Sequence, residues 1–284
     1  MDTDFSDWIG RTERVDDPLS WVQAQAAQAV LDEPGAALVD GDALPLPWHW
    51  FHFLPRTPQA GLDTDGHPRR GGFLPPIPYP RRMFAGARVQ VHRPLRVGRP
   101  AWREGTIRDV AMKSGKSGAL AFVTVGYRFL QDGVLCLEEE QDIVYREPGA
   151  AVSAPQAVDL PPPPADGWSR TLQPDPRLLF RFSALTFNAH RIHYDRDYAR
   201  SVEGYPGLVV HGPLTAVLLL QLVRQSTARP LLGFSFRGVA PLFDLGPIRL
   251  IGRLAGDAVE LEAQGPDGAK ALVARCSLGP DPRP

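Results

Sequence analysis

Residues 207–223 restrict the fold more than any other part of the chain. Apolar side chains fill this run, and only His211, Pro213 and Gln221 interrupt it. A helix that is apolar all round has to be covered on every side. The run is too short and too marked by polar residues to span a bilayer comfortably. It therefore predicts a buried helix over residues 212–224, with Pro213 near the first turn, where its missing N–H is not needed. The segments that follow supply the cover. Residues 233–239, 247–255, 258–265 and 269–278 read as strands, with Gly256-Asp257 and Asp267-Gly268 as hairpin turns. One buried helix followed by an antiparallel meander predicts a sheet wrapped around a central helix. That is an α+β layout, distinct from a βαβ array.

Four consecutive prolines, Pro161 to Pro164, lie inside a spacer that spans residues 150–166. They can be neither helix nor central strand. The spacer divides the chain into residues 1–160 and 165–284. In the first half a helix is predicted over 16–31, with Pro18 near its start. An aromatic, proline-punctuated stretch follows at 44–55, then a Gly/Pro/Arg loop at 66–82. Strands are predicted at 87–92, 100–111, 119–130 and 134–145. In the second half, residues 180–195 read as a loop that leads to a short helix. The 30 prolines and 27 glycines among 284 residues favour strands and turns over a helical bundle.

Lysine and arginine total 31 against 32 acidic residues, a formal charge of −1. That balance argues against nucleic acid or an anionic membrane as the main partner. The two cysteines, Cys136 and Cys276, each sit in an apolar stretch and read as buried thiols. With an acidic, polar start to the chain, they predict a cytoplasmic protein.

Chemistry concentrates in residues 182–199. Asn188, His190, Arg191 and His193 fall within six positions and are flanked by apolar residues. Polar groups converging in an apolar context mark a pocket. A second marker is Val210-His211-Gly212-Pro213, where the buried helix starts. A helix N-terminus offers free N–H groups and a positive dipole end, both suited to an oxyanion. His190 and His193 lie three apart, but no third ligand is evident, so no metal is assigned.

Together these segments resemble the MaoC-like enoyl-CoA hydratase/dehydratase family. Its signature is Ser-Gly-Asp-x-Asn-Pro-x-His, then five residues and a small side chain. His193 takes the terminal histidine position and Ala199 follows at the required spacing. Asn188 stands where the family has its acidic partner, and His211-Gly212-Pro213-Leu214 looks like the helix-start motif His-Gly-Met-Leu. The resemblance is clear over residues 178–254. Trp48-His49-Trp50-Phe51, the run from Arg81 to Gly86 and the run from Thr186 to Asp195 look like the subgroup of mesaconyl-CoA/itaconyl-CoA hydratases and type 2 hydroxyacyl-thioester dehydratases.

The resemblance implies a double hot-dog fold, each antiparallel sheet wrapped around a central helix. Residues 1–160 would be a degenerate repeat that helps form the pocket, and residues 165–284 the catalytic repeat. It implies water addition to a short, branched, carboxylated enoyl-CoA, giving citramalyl-CoA. The alternatives are a 3-hydroxyacyl-thioester dehydratase on other acyl chains, or a hot-dog protein that only binds acyl-CoA. Coenzyme A enters as part of the substrate, with no other cofactor, and a homodimer is the expected assembly. An amide cannot take a proton, so His193 would serve as the single base, with Asn188 holding the water and the Gly212 N–H receiving the enolate oxygen. His190 and His211 would line the substrate, His211 bonding near the helix start. The substrate carboxylate needs a guanidinium. Arg191 is the first candidate, with Arg237 and Arg181 after it, and Lys113 and Lys116 could meet the CoA phosphates. Asp195 reads as a helix cap.

Overall fold

The computed structural model describes residues 4–115, 118–149 and 151–281. The first half comprises β1 (Thr12–Asp17), α1 (Trp21–Leu31), β2 (Arg81–Val91), β3 (Ala101–Gly115), β4 (Gly118–Gln131) and β5 (Val134–Arg146). The second comprises β6 (Gly167–Leu172), α2 (Pro176–Leu185), α3 (Arg196–Ser201), α4 (Gly212–Ser226), β7 (Leu231–Gly238), β8 (Ile248–Ala255), β9 (Ala258–Gln264) and β10 (Lys270–Leu278). Among the described residues no regular element falls between Arg146 and Gly167, where the proline spacer was expected.

All ten strands join one antiparallel sheet in the order β1-β3-β4-β5-β2-β7-β10-β9-β8-β6. The seam between the halves is the β2–β7 pair, in which Gly86 faces Arg237 and Val89 faces Phe234. A Cβ on Gly86 would stand 2.5 Å from the Phe236 carbonyl oxygen, so this close approach requires glycine. The α+β meander around a helix is as expected, and the halves share one continuous sheet.

Helix α4 packs against the second half of that sheet, on β6, β8, β9 and β10, and reaches β2. Every residue from Leu214 to Val223 is buried. Each leucine so covered contributes about 1.5–3 kcal/mol of hydrophobic stabilisation. Gln221 is a staple: its Nε2 donates to the Leu31 carbonyl at 2.9 Å, and its Oε1 accepts from Arg170 at 2.8 Å. A polar group in a core is tolerated on those terms. Among the described residues no helix is long and apolar enough to cross a membrane. Cys136 and Cys276 are free and buried, and burial pushes the Cys276 thiol up to about 12.

Two expectations require correction. The first helix starts at Trp21, because Leu19 is left-handed (φ 47°) and the Ser20 side chain caps the Val22 N–H at 3.2 Å. Residues 12–17 instead pair with β3 as an edge strand. Residues 180–185 belong to α2, whose start is capped by Asp175 accepting from the Leu178 N–H at 2.8 Å. The aromatic stretch is fixed by the buried carboxylate of Glu139 on β5, which accepts from His49 Nε2 at 2.7 Å and Trp50 Nε1 at 2.9 Å.

Candidate active site

Helix α2 ends at Leu185, and left-handed Phe187 (φ 50°) turns the chain. Asn188 Oδ1 then accepts the His190 N–H at 3.0 Å and holds the next turn. A 3₁₀ turn, Arg191–His193, follows. Side chains three apart eclipse one another in such a turn. His190 and His193 therefore both face inward and are buried, while Arg191 and Tyr194 face out. Asp195 caps α3 by accepting from the Tyr198 N–H at 3.0 Å, the role expected for it.

His193 donates from Nδ1 to the Val209 carbonyl at 2.7 Å. That bond fixes the tautomer and leaves Nε2 a free acceptor, with no partner among the described residues. The His193 ring stacks on His211 with centroids 3.6 Å apart. His211 Nε2 lies 2.9 Å from the Ser183 hydroxyl on α2, and Gly212 is the next residue. His193 thus stands beside the opening of α4, where the Gly212 N–H has no acceptor among the described residues.

The first half supplies two groups that were not expected. His67 packs against His190 with centroids 4.0 Å apart, and its Nδ1 is 3.0 Å from Asp65 Oδ2. The Asp65 loop is docked by its carbonyl, which accepts the Arg191 N–H at 2.9 Å. Of the seven histidines in the chain, His67, His190, His193 and His211 meet here. Their loop, Gly66 onward, reads from sequence only as irregular chain, and no local signal marks it. Asp65, His67 and His190 place ligand atoms within 4.8 Å of one another, a donor set that could hold a metal. The charges of Arg82 and Arg70 lower the proton affinity of His67, and the Asp65 carboxylate acts on it in the opposite sense.

Burial lowers the proton affinity of all four rings. It brings His193 from 6.5 to about 4. A histidine kept neutral in the native state takes a proton more readily when unfolded. Stability is therefore expected to fall as pH drops through 6.5 towards 4, while His193 stays neutral and competent over that interval. The urea midpoint should decline between about pH 7 and pH 5, while the acid limb of kcat/KM lies nearer 4 than 6.5.

These groups line a cavity of about 1120 Å³ with walls from both halves. Asn188, His190, His193, His211 and Gly212 all border it. Arg191, Arg237 and Arg181 do not, which corrects their assignment to the substrate. Arg191 is turned outward, pairs with Asp195 at 2.7 Å and lies over the Tyr198 ring. Arg237 is exposed on β7, and Arg181 is exposed on α2. Lys113 is exposed over Phe122, away from the cavity, and Lys116 lies outside the described residues. The arginines that do border the cavity are Arg56, Arg82 and Arg146, and none of its described lining residues is Asp or Glu. Arg82 was visible in sequence only as part of the Arg81–Gly86 string.

A family model described as hydroxyacyl-thioester dehydratase type 2 matches residues 47–244. The chain is 65% identical to a protein named mesaconyl-C(4)-CoA hydratase from Chloroflexus aurantiacus, over 97% of this chain and 98% of that one. Among solved structures it is similar to a MaoC-like dehydratase, with a TM-score of 0.71 and 15% identity over 95% of this chain and 98% of the other. It is also similar to a Mycobacterium tuberculosis protein described as having a double hotdog fold, with a TM-score of 0.55 and 16% identity over 95% and 96% of the two chains. The double hot-dog expectation stands on these likenesses.

Proposed function

The chain belongs to the hydroxyacyl-thioester dehydratase type 2 family, whose chemistry is that of a hydro-lyase, and we propose that it adds water to the double bond of a carboxylated enoyl-CoA of the mesaconyl-C4 type. The observation that carries this reading is His193, its Nδ1 tied to a backbone carbonyl and its Nε2 free in the cavity beside the start of α4. The named activity of the 65% identical relative supports the substrate class.

His193 Nε2 takes a proton from water, and the water oxygen bonds to the β-carbon of the thioester. The double-bond electrons move to the thioester oxygen as an enolate. The Gly212 N–H, at the positive end of α4, meets that charge. The enolate collapses and its α-carbon takes the proton back from the His193 imidazolium, so one water is added and the enzyme is restored. Asn188 Oδ1 keeps a second lone pair beyond its bond to the His190 N–H, enough to orient the water. The low proton affinity of His193 suits this cycle: the ring is neutral at pH 7, and the imidazolium is a strong acid towards carbon. Dehydration uses the same groups in reverse order.

The test is ultraviolet absorbance of mesaconyl-C4-CoA with purified protein, and mass analysis of the product. The conjugated thioester signal should fall as citramalyl-CoA appears. Release of free thiol, or binding without turnover on any enoyl-CoA, would refute the reading.

A further inference from the structure

The cavity is electrostatically one-sided: its described lining carries three guanidiniums and no carboxylate. Nearby arginines are neutralised by the protein. Arg81 pairs with Glu203, Arg191 with Asp195 and Arg196 with Asp244. Arg82 differs. It is half-buried on β2, opposite Tyr145 of β5, and its guanidinium has no hydrogen bond or ion pair among the described residues. Its charge reaches both His67 and His190 and lowers the proton affinity of each. It borders the same cavity as His67, His190 and His193. The carboxylate on this side, Asp65, is already engaged by the His67 ring and N–H. A half-buried cation without a counter-charge is an incomplete ion pair, completed when an anion enters the cavity. The other two lining arginines are placed differently. Arg56 is exposed, and Arg146, half-buried with its Nε unpartnered, acts on Glu203, the partner of Arg81, and not on the histidines.

We propose that Arg82 binds the free carboxylate carried by the acyl group beside its reacting carbon, and so selects carboxylated enoyl-CoA substrates over uncharged ones. This deepens the hydratase reading and rests on it. A substrate whose second carboxylate is attached to the carbon that water attacks would bring its anion and its reacting atom into the one cavity that Arg82 and His193 both border. A guanidinium recognises such a group in a planar, two-bond arrangement that lysine cannot reproduce. Arg82 thus replaces Arg191 in the role expected from sequence.

The experiment compares kcat/KM for mesaconyl-C4-CoA and crotonyl-CoA in the wild type, Arg82→Leu, Arg82→Gln and Arg82→Lys. Both substrates carry the CoA phosphates, so their ratio reports the acyl carboxylate alone. The wild type should prefer mesaconyl-C4-CoA. Arg82→Leu and Arg82→Gln should reduce that preference about 100-fold, with Arg82→Lys intermediate. A ratio unchanged in all three variants overturns the proposal, and equal losses on both substrates count as such, since they would mean a phosphate contact or a structural role. Two neutral variants and one charged variant keep the test decisive if Arg82→Leu folds poorly. A wild type that hydrates neither substrate overturns the hydratase reading itself, an outcome distinct from a hydratase whose preference ignores Arg82.

Discussion

Replacing His193 with alanine is expected to lower kcat for enoyl-CoA hydration about 1,000-fold, or about 4 kcal/mol of barrier, with KM little changed. No neighbouring ring can substitute. His211 has Nε2 engaged by Ser183 and Nδ1 buried without a partner. His190 sits against His67, on the far side of His193 from α4. Both are held below their ordinary proton affinity by burial. Removing the imidazole leaves the Gly212 N–H in place, so binding and oxyanion stabilisation persist while proton transfer is lost. Stopped-flow absorbance of the conjugated thioester, with circular dichroism as a check on folding, measures the effect. A loss of less than tenfold would assign the base elsewhere.

Gly66→Ala should be the next most damaging, for a steric reason at the cavity wall. Gly66 has φ 91° and a Cβ there would fall 1.7 Å from the Ala189 carbonyl oxygen. No rotamer relieves a clash between two backbones. The loop must leave the segment that carries His190 and His193, and the Asp65–His67 pair goes with it. An undocked loop opens the cavity to water and removes part of its wall. A fall in kcat/KM of about 100-fold is expected, together with faster amide hydrogen exchange over residues 62–69. Gly71→Ala is the matched control. It has φ 84°, but its nearest neighbour would be Pro76 Cβ at 3.7 Å. It carries the left-handed strain alone, about 1–2 kcal/mol of stability, and borders no part of the cavity. Equal losses of activity in the two variants would show that strain, and not the close approach to Ala189, is what matters.

Several parts of this architecture can be read without coordinates. The α4 helix declares itself because a run apolar on all faces has one stable placement. The strands β3, β4, β5, β8, β9 and β10 follow from β-leaning runs bounded by turn residues, and their predicted limits lie within a few positions of those found. Edge strands β1 and β6 escape, since six half-exposed residues carry little periodicity. Arg191 shows the limit of sequence proximity. It sits between two inward-facing histidines, yet the eclipsed geometry of the 3₁₀ turn points it to solvent and to Asp195.

The amino-acid sequence alone thus determined a buried helix within an antiparallel sheet, and a histidine next to that helix's first residue. Both depend on periodicity and turn chemistry acting over a few residues. Which charges face the cavity was decided only in three dimensions. Arg82 and the Asp65–His67 pair reach the site from the opposite half of the chain, brought there by the β2–β7 seam and a glycine that admits the Ala189 backbone. Such placement depends on long-range strand pairing and steric fit between distant segments, which no local pattern encodes.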